Sequence, residues 1–416
     1  MWSIVVGSLL AAAPLELSTL GKGDGLVELV WRQSPTLQSA RARVAEAEAE
    51  RRRTLRLPNP GLDLSVNTLP IGPLNPPDLQ EPFLNVPNVS VGLSVLLELG
   101  KRGPRQDAAA EAARASVLLA IEALRNEVFA LEEVLGDVAA AQVRVATLES
   151  LADDAHRLSE LQAARAQKGD ASELDADRSR LEEAGTVSLL GAARDELASS
   201  LRACAALVAT PCRPFADAPQ AGAWLDRVGQ PGEIARRPDM LALEAAARSA
   251  RASERLVRRG WIPDPTVRVG YVRDQFVISG NQLNSLFVGL SMPLNVFDHG
   301  QDAAEAAAIT ARSIERERER LVDAAGAQLE QLTGELAAVE SRQQRLRTEA
   351  LPLARTLVER LTAAVTKGAA PLQELLLARR SLADLSVTAA ELDRTLFRLH
   401  LARARLTGTL DGLPQD

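Results

Sequence analysis

The two halves of this 416-residue chain repeat one another at a spacing of about 200 residues, so whatever fold the chain takes is built twice. Ser34, Pro35, Thr36 and Leu37 open an Ala/Arg/Glu-rich amphipathic segment that closes at Pro58, Asn59 and Pro60. Its counterpart opens at Arg237, Pro238, Asp239 and Met240 and closes at Pro263, Asp264 and Pro265. Proline fits the first helical turn, where its missing N–H would be unpaired anyway, and a Pro-x-Pro pair stops the helix. Each segment therefore predicts a helix of about six turns.

Alternation of period two comes after each stop. Leu62, Leu64, Val66 and Thr68 share one face while Gly61, Asp63, Ser65 and Asn67 share the other, the pattern of a strand with one apolar side. After the Pro-rich stretch 69–87, Val89, Val91, Leu93, Val95 and Leu97 alternate with Asn88, Ser90, Gly92, Ser94 and Leu96. The second half repeats this with Val267, Val269 and Tyr271 and, beyond a loop over 274–284, with Leu286, Val288, Leu290 and Met292. Four strands are expected, as two hairpins with divergent surface loops.

Each hairpin leads into a very long helix, expected over 104–167 and 302–366 and ~95 Å long at 1.5 Å per residue. A heptad seam runs through the first as Val117, Ile121, Leu124, Val128, Leu131, Leu135, Val138, Gln142 and Val145. The second seam is Leu329, Leu332, Leu336, Val339, Gln343, Leu346, Ala350, Leu353 and Leu357. Spacings alternating three and four are what coiled-coil packing requires. Gln142 and Gln343 are either a register-setting polar layer or tolerated substitutions, and Pro352 predicts a local kink. Both helices stop at Lys-Gly, Lys168 with Gly169 and Lys367 with Gly368, where glycine can take the left-handed cap conformation. A return helix comes after each; in the last, Leu382, Leu385, Ala389, Leu392, Leu396 and Leu399 form a seam that can lie antiparallel to its partner.

Composition agrees with long helices, since aromatics are only 3% and Ala, Leu, Arg and Glu dominate. The net charge of −7 arises from 55 acidic and 48 basic residues mixed along the chain, with no basic block to meet phosphates, so nucleic acid is not an expected partner. There is no nucleophile with a paired base, no glycine-rich phosphate loop and no clustered metal ligands, and His156, His299 and His400 are scattered. Neither an enzyme nor a cofactor or metal site is expected. Ile4 to Ala13 is apolar and ends in three alanines, like a signal-peptide core, although no Lys or Arg precedes Lys22; the alternative is an apolar strand or frayed end. Cys204 and Cys212, eight apart, read either as a small disulfide loop in an exported protein or as two independent small apolar residues. Neither stands behind the apolar leader as a lipoprotein cysteine would, so no lipid anchor is expected.

No other stretch approaches the ~20 apolar residues of a membrane helix, so a chain like this enters a bilayer only as a barrel. Four short strands cannot close one. Three copies supply twelve, with Ser65, Asn67, Ser90 and Ser94 turned toward a water-filled lumen. The alternative, hairpins packed on a soluble core, lacks a spare apolar helix surface to cover the sheet.

The duplicated halves, the Arg-Arg-Pro-Asp opening at 236–239, the Pro-Asn-Pro and Pro-Asp-Pro entries to the strands and the Lys-Gly turns, in this order and twice over, resemble the TolC family of outer-membrane factors. The resemblance covers nearly the whole chain after its N-terminus. It implies a mainly α fold with a small β part: duplicated long antiparallel helical hairpins forming an α-barrel, plus four strands per chain contributing to a twelve-stranded trimeric β-barrel. In that frame 1–20 is a signal segment, 21–209 the first repeat, 210–236 an inter-repeat linker in the equatorial region and 237–416 the second repeat. The implied function is the bacterial outer-membrane channel of a tripartite efflux or type I secretion system, a homotrimer with a long periplasmic extension. Its implied partners are a periplasmic adaptor (membrane fusion) protein, an inner-membrane pump and outer-membrane lipid. The string Leu99 to Arg102 resembles the corresponding segment of members serving cation-efflux pumps, while the scarcity of Met and His means that the passage itself need not bind metal. The turns after Lys168–Gly169 and Lys367–Gly368 would form the constricted periplasmic end. By position, Asp175 and Glu374 match the family's acidic aperture ring, with Asp170, Glu173 and Asp177 nearby; Leu377 stands where a further acid is expected. Read from the residues alone, these carboxylates are solvated helix starts that meet the dipole. For the whole chain the other reading is a soluble antiparallel coiled-coil scaffold or adaptor protein with two small hairpins.

Overall fold

The structure, a computed structural model, describes residues 15–16, 24–73, 80–227, 232–275, 282–295 and 297–408. Of the expected signal segment, 1–20, only Leu15 and Glu16 fall within the described residues. The elements in chain order are β1 (Leu15–Glu16), α1 (Asp24–Gln33), α2 (Pro35–Leu55), β2 (Gly61–Asn67), the single-turn α3 (Pro82–Asn85), β3 (Asn88–Leu96), α4 (Arg102–Gln167) and α5 (Glu173–Val208). They continue as β4 (Cys212–Arg213), α6 (Ala218–Leu225), α7 (Pro238–Arg258), β5 (Thr266–Asp274), β6 (Asn284–Ser291), α8 (Gln301–Arg345), α9 (Leu351–Thr366) and α10 (Leu372–Thr407). Two units result: a helical one formed by Met1–Arg41, Leu119–Met240 and Arg320–Asp416, and a strand-bearing one formed by Ala42–Leu118 and Leu241–Glu319.

In the helical unit the α4 seam is the core from Leu124 on, whereas Val117, where the expected seam begins, is exposed and Ile121 is half-buried. Leu124, Val128, Leu131, Leu135 and Val138 are buried, and α1 (Leu26, Val30), α5 (Cys204, Val208), α6 (Trp224) and α10 (Phe397) contribute to the cluster around them; Val145 packs with Leu190 and Ala193 of α5. Within the expected inter-repeat linker, Phe215, Ala221, Trp224 and Leu225 join this core. Asp217 caps α6 by accepting the Gln220 amide at 2.7 Å, and Ala221, Trp224 and Leu225 are buried. Gln142 explains how the segment docks: its side-chain amide donates to the Phe215 carbonyl and accepts the Phe215 N–H, both at 2.9 Å. This glutamine clamps a chain segment rather than forming a polar layer between helices. Gln343 donates to Asp393 of α10 at 2.6 Å. Cys204 and Cys212 are disulfide-bonded, with Cα atoms 6.1 Å apart, and β4 pairs in parallel with β1.

The second seam departs from expectation at one place. Between α8 and α9 a π turn, Leu346–Ala350, holds one residue more than an α turn would, immediately before Pro352. Proline lacks the N–H that would complete the ladder and crowds the carbonyl one turn back, and a π turn relieves both problems. The extra residue rotates α9 relative to α8 by about 100° about the helix axis. The core therefore continues through Leu351, Ala354 and Val365, with Val358 and Leu361 packed against it, whereas Leu353 and Leu357 are exposed.

In the strand unit the two expected hairpins fuse into one antiparallel sheet of order β2-β3-β5-β6, because β3 pairs with β5 across the halves. The register runs Gly61↔Ser94, Arg268↔Ser94 and Arg268↔Gly289, so the ends that join helices all lie on one side of the sheet.

Candidate functional site

The register sorts the sheet into two chemically different faces. Leu62–Leu93–Val269–Val288 and Leu64–Val91–Tyr271–Leu286 form rows across all four strands. These side chains lie open, Leu64 at 71% and Leu286 at 83% exposure. A continuous apolar face of this kind on a folded unit marks a surface made for an apolar partner. The opposite face is polar. Ser65 and Ser90, paired in register, have their Oγ atoms 2.6 Å apart; Asn67 donates to Ser65 Oγ at 3.2 Å, and Ser94 donates to the Gly61 carbonyl at 3.4 Å. The four residues expected to share a polar face do share it.

Phe287 carries no signal in the alternation pattern. It belongs to the polar face, in the row Asp63–Gly92–Gly270–Phe287, and its ring lies on the two glycines. A Cβ built on Gly270 would stand 2.5 Å from Phe287 Cε1 and 2.5 Å from the Val91 carbonyl oxygen, so the site admits only glycine. The sequence hint is two glycines within strands, and it becomes readable only when the register places them side by side.

Among the described residues, strands β2 and β6 each have a neighbour on one side only. Three antiparallel steps separate them, so they run in opposite directions, and β6 of one copy can pair antiparallel with β2 of another.

The two Lys-Gly turns are built alike. Gly169 and Gly368 have φ of +79° and +71°. Asp170 donates its amide to the Arg165 carbonyl at 2.9 Å, and Ala369 donates to the Ala364 carbonyl at 2.8 Å, so both turns satisfy orphan helix-end carbonyls in the same way. Arg165 also donates to the Val365 carbonyl at 3.3 Å, and Leu158, Val365, Leu372 and Leu375 form one cluster, which holds the two turns together.

Ser172 caps α5 by accepting the Asp175 amide at 3.1 Å, which places Glu173 and Asp175 in the first turn; Glu374 is in the first turn of α10. Asp175 is half-buried and stands 3.5 Å from Arg178, while Asp177 meets Arg180 at 3.2 Å. Asp170, Glu173, Glu374, Lys168 and Lys367 are exposed and have no ion-pair partner among the described residues. Leu377, three residues after Glu374, is likewise exposed. Within one chain Glu173, Asp175 and Glu374 are thus helix starts stabilised by the dipole, Asp170 lies in the preceding turn, and Asp175 and Asp177 each meet an arginine three residues on.

The Leu99–Arg102 string has a local role. Gly100 takes a left-handed conformation, Lys101 Nζ pairs with Asp264 of the Pro-Asp-Pro stop at 2.8 Å, and Arg102 donates to the Leu55 carbonyl at 2.8 Å. Among the described residues no helix is long and apolar enough to cross a membrane, and no three His, Cys, Asp or Glu side chains are grouped to hold a metal ion.

No protein-family model matches the sequence, and no curated protein matches it. Solved structures do. The chain resembles the crystal structures of CusC, described in terms of folding and transmembrane channel formation, with a TM-score of 0.74 over 97% of this chain and 96% of that one, at 17% identity. It resembles the outer membrane protein VceC of Vibrio cholerae with a TM-score of 0.68 over 92% and 95% of the two chains, at 17% identity. The open state of the MtrE outer membrane channel of Neisseria gonorrhoeae gives 0.70 over 93% and 89%, at 14% identity. The chain has the fold of TolC-type outer-membrane channels.

Proposed function

We propose that this chain is the outer-membrane channel of a tripartite efflux or type I secretion system and works as a homotrimer. The observation that carries the reading is the four-stranded sheet, apolar and open on one face, polar on the other, with both edges unpaired among the described residues. Lipid cannot hydrogen-bond a free strand edge, so a sheet that meets lipid must close on itself. Three copies joined β6 to β2 give twelve antiparallel strands whose apolar rows face the bilayer and whose serines and asparagines line a wet lumen. A soluble scaffold would leave the same rows in water, which is why that reading is weaker.

The helical hairpins would carry the passage into the periplasm, toward an adaptor protein and an inner-membrane pump. The repeats 21–209 and 237–416, joined by 210–236, would each supply one hairpin turn to the narrow end. There, three copies of Asp175 and Glu374, with Asp170, Glu173 and Asp177 around them, would converge behind the Lys168–Gly169 and Lys367–Gly368 turns. Carboxylates in a narrow mouth with low-dielectric walls attract cations, and their mutual repulsion has to be offset by packing between hairpins for the mouth to stay shut. The transport step is gated passage, with no covalent chemistry.

Two measurements on the detergent-solubilised chain test this. Native mass measurement should give a trimer, and a stable monomer would overturn the barrel. In planar bilayers Glu374→Gln combined with Asp175→Asn should leave trimer yield unchanged and reduce cation selectivity and block by divalent cations. Traces identical to wild type across salt and divalent concentration would return these acids to ordinary helix starts.

A further inference from the structure

The four junctions between strands and helices are tied into one collar at the helix-side end of the sheet. Arg102 reaches the Leu55 carbonyl at 2.8 Å, Arg259 donates to the Gly100 carbonyl, the Leu99 amide donates to Asp264 at 3.1 Å, and Asn295 donates to the Gly260 carbonyl at 2.5 Å. Two features of the collar are unexplained by folding. First, it exposes large apolar side chains just beyond the apolar rows of the sheet: Leu57 (70%), Trp261 (61%), Leu294 (76%) and Phe297 (94%). Second, it holds guanidinium groups with no carboxylate partner. Arg52 and Arg56 are exposed and without an ion pair among the described residues, and Arg102 and Arg259 bond only to backbone carbonyls, which leaves their charge uncompensated. The collar's acids only partly offset them: Glu98 is held by Arg105 and Asp264 by Lys101, while Asp298, which accepts the Gly300 amide at 2.7 Å, and Asp302 keep their charge, so four such guanidinium groups face two such carboxylates.

Unpaired arginines beside an exposed tryptophan, at the rim of a lipid-facing wall, combine the anchors of a membrane–water interface with the charge that anionic headgroups attract. We propose that this collar seats in the headgroup layer on the helix side of the membrane and selects anionic phospholipid there, with Arg52, Arg56, Arg102 and Arg259 facing lipid phosphates. The inference rests on the channel reading above, because only a membrane-closed sheet brings the collar to a headgroup layer.

The test uses the full chain in phosphatidylcholine vesicles with trace spin-labelled phosphatidylglycerol or phosphatidylcholine, read as the relative association of each with the protein boundary. Wild type should prefer phosphatidylglycerol by about threefold or more at low salt. The preference should fade as the screening length shrinks from about 30 Å at 0.01 M to about 3 Å at 1 M. R52Q/R56Q, which breaks no hydrogen bond, should bring the two lipids close to parity, and R52K/R56K should keep the preference. Replacing chloride by inorganic phosphate at equal ionic strength should change nothing. Loss of the preference at millimolar phosphate would mark a free-anion site and overturn the proposal, as would parity in wild type or an unchanged R52Q/R56Q. If neither lipid is immobilised, the channel reading falls as well; parity with immobilised lipid removes this proposal alone.

Discussion

At Gly270 one added carbon would collide with the Phe287 ring and with backbone of the neighbouring strand, while at Gly289, in the same sheet, nothing lies within 4 Å of the added position. The contrast separates conformational tolerance from packing, since both residues are strand glycines. Gly270→Ala should cost about 1 to 3 kcal/mol or more through overpacking, and Gly289→Ala should be near neutral. Thermal midpoints of the solubilised assembly measure this directly; equal midpoints would mean that Phe287 swings away freely. In the proposed channel, a ring held against two glycines would stay by the wall instead of standing in the lumen.

The long second helix shows how an element is decided by more than its pattern. A heptad count carried through Pro352 places Leu353 and Leu357 in the seam, whereas the π turn hands those places to Leu351, Ala354 and Val358. The turn is pinned from α10: Arg347, within it, donates to Asp393 at 2.6 Å, and Gln343, just before it, donates to the other oxygen of the same carboxylate. Leu351→Ala, at a site 8% exposed, should destabilise by about 2 to 5 kcal/mol. Leu353→Ala, at 71% exposure, should change stability by about 0.5 kcal/mol or less. Urea midpoints of the two variants in the reverse order would place the extra residue elsewhere.

For the whole molecule the decisive property is that the sheet has two faces and, among the described residues, two free edges. Leu93 is central in an apolar row and Ser94 is its neighbour on the polar face. In a closed barrel a charge on the lipid side near the midplane costs about 2 to 4 kcal/mol per copy, whereas a lumen charge stays hydrated. Leu93→Arg should therefore block recovery of trimer from the membrane fraction, and Ser94→Arg should not. Equal recovery of both would show that this face does not meet lipid.

The elements and their chemistry were written locally in the chain. Pro-x-Pro stops, period-two alternation and Lys-Gly turns, stated twice in the duplicated halves, and the first heptad seam from Leu124 on are local signals, set by backbone sterics and by which face must be buried. The acidic helix starts at Asp175 and Glu374 were legible for the same reason, as positions after a glycine cap. Every property that depends on two distant segments meeting had to wait for the folded chain. The joining of two hairpins into one sheet through β3 and β5, the seat of Phe287 on Gly92 and Gly270, the clamp of Gln142 on Phe215 and the collar that links Leu55, Gly100, Asp264 and Gly260 all couple residues across long sequence separations. The register shift before Pro352 belongs with them, because a helix can absorb an extra residue in several places, and only packing against α10 selects one.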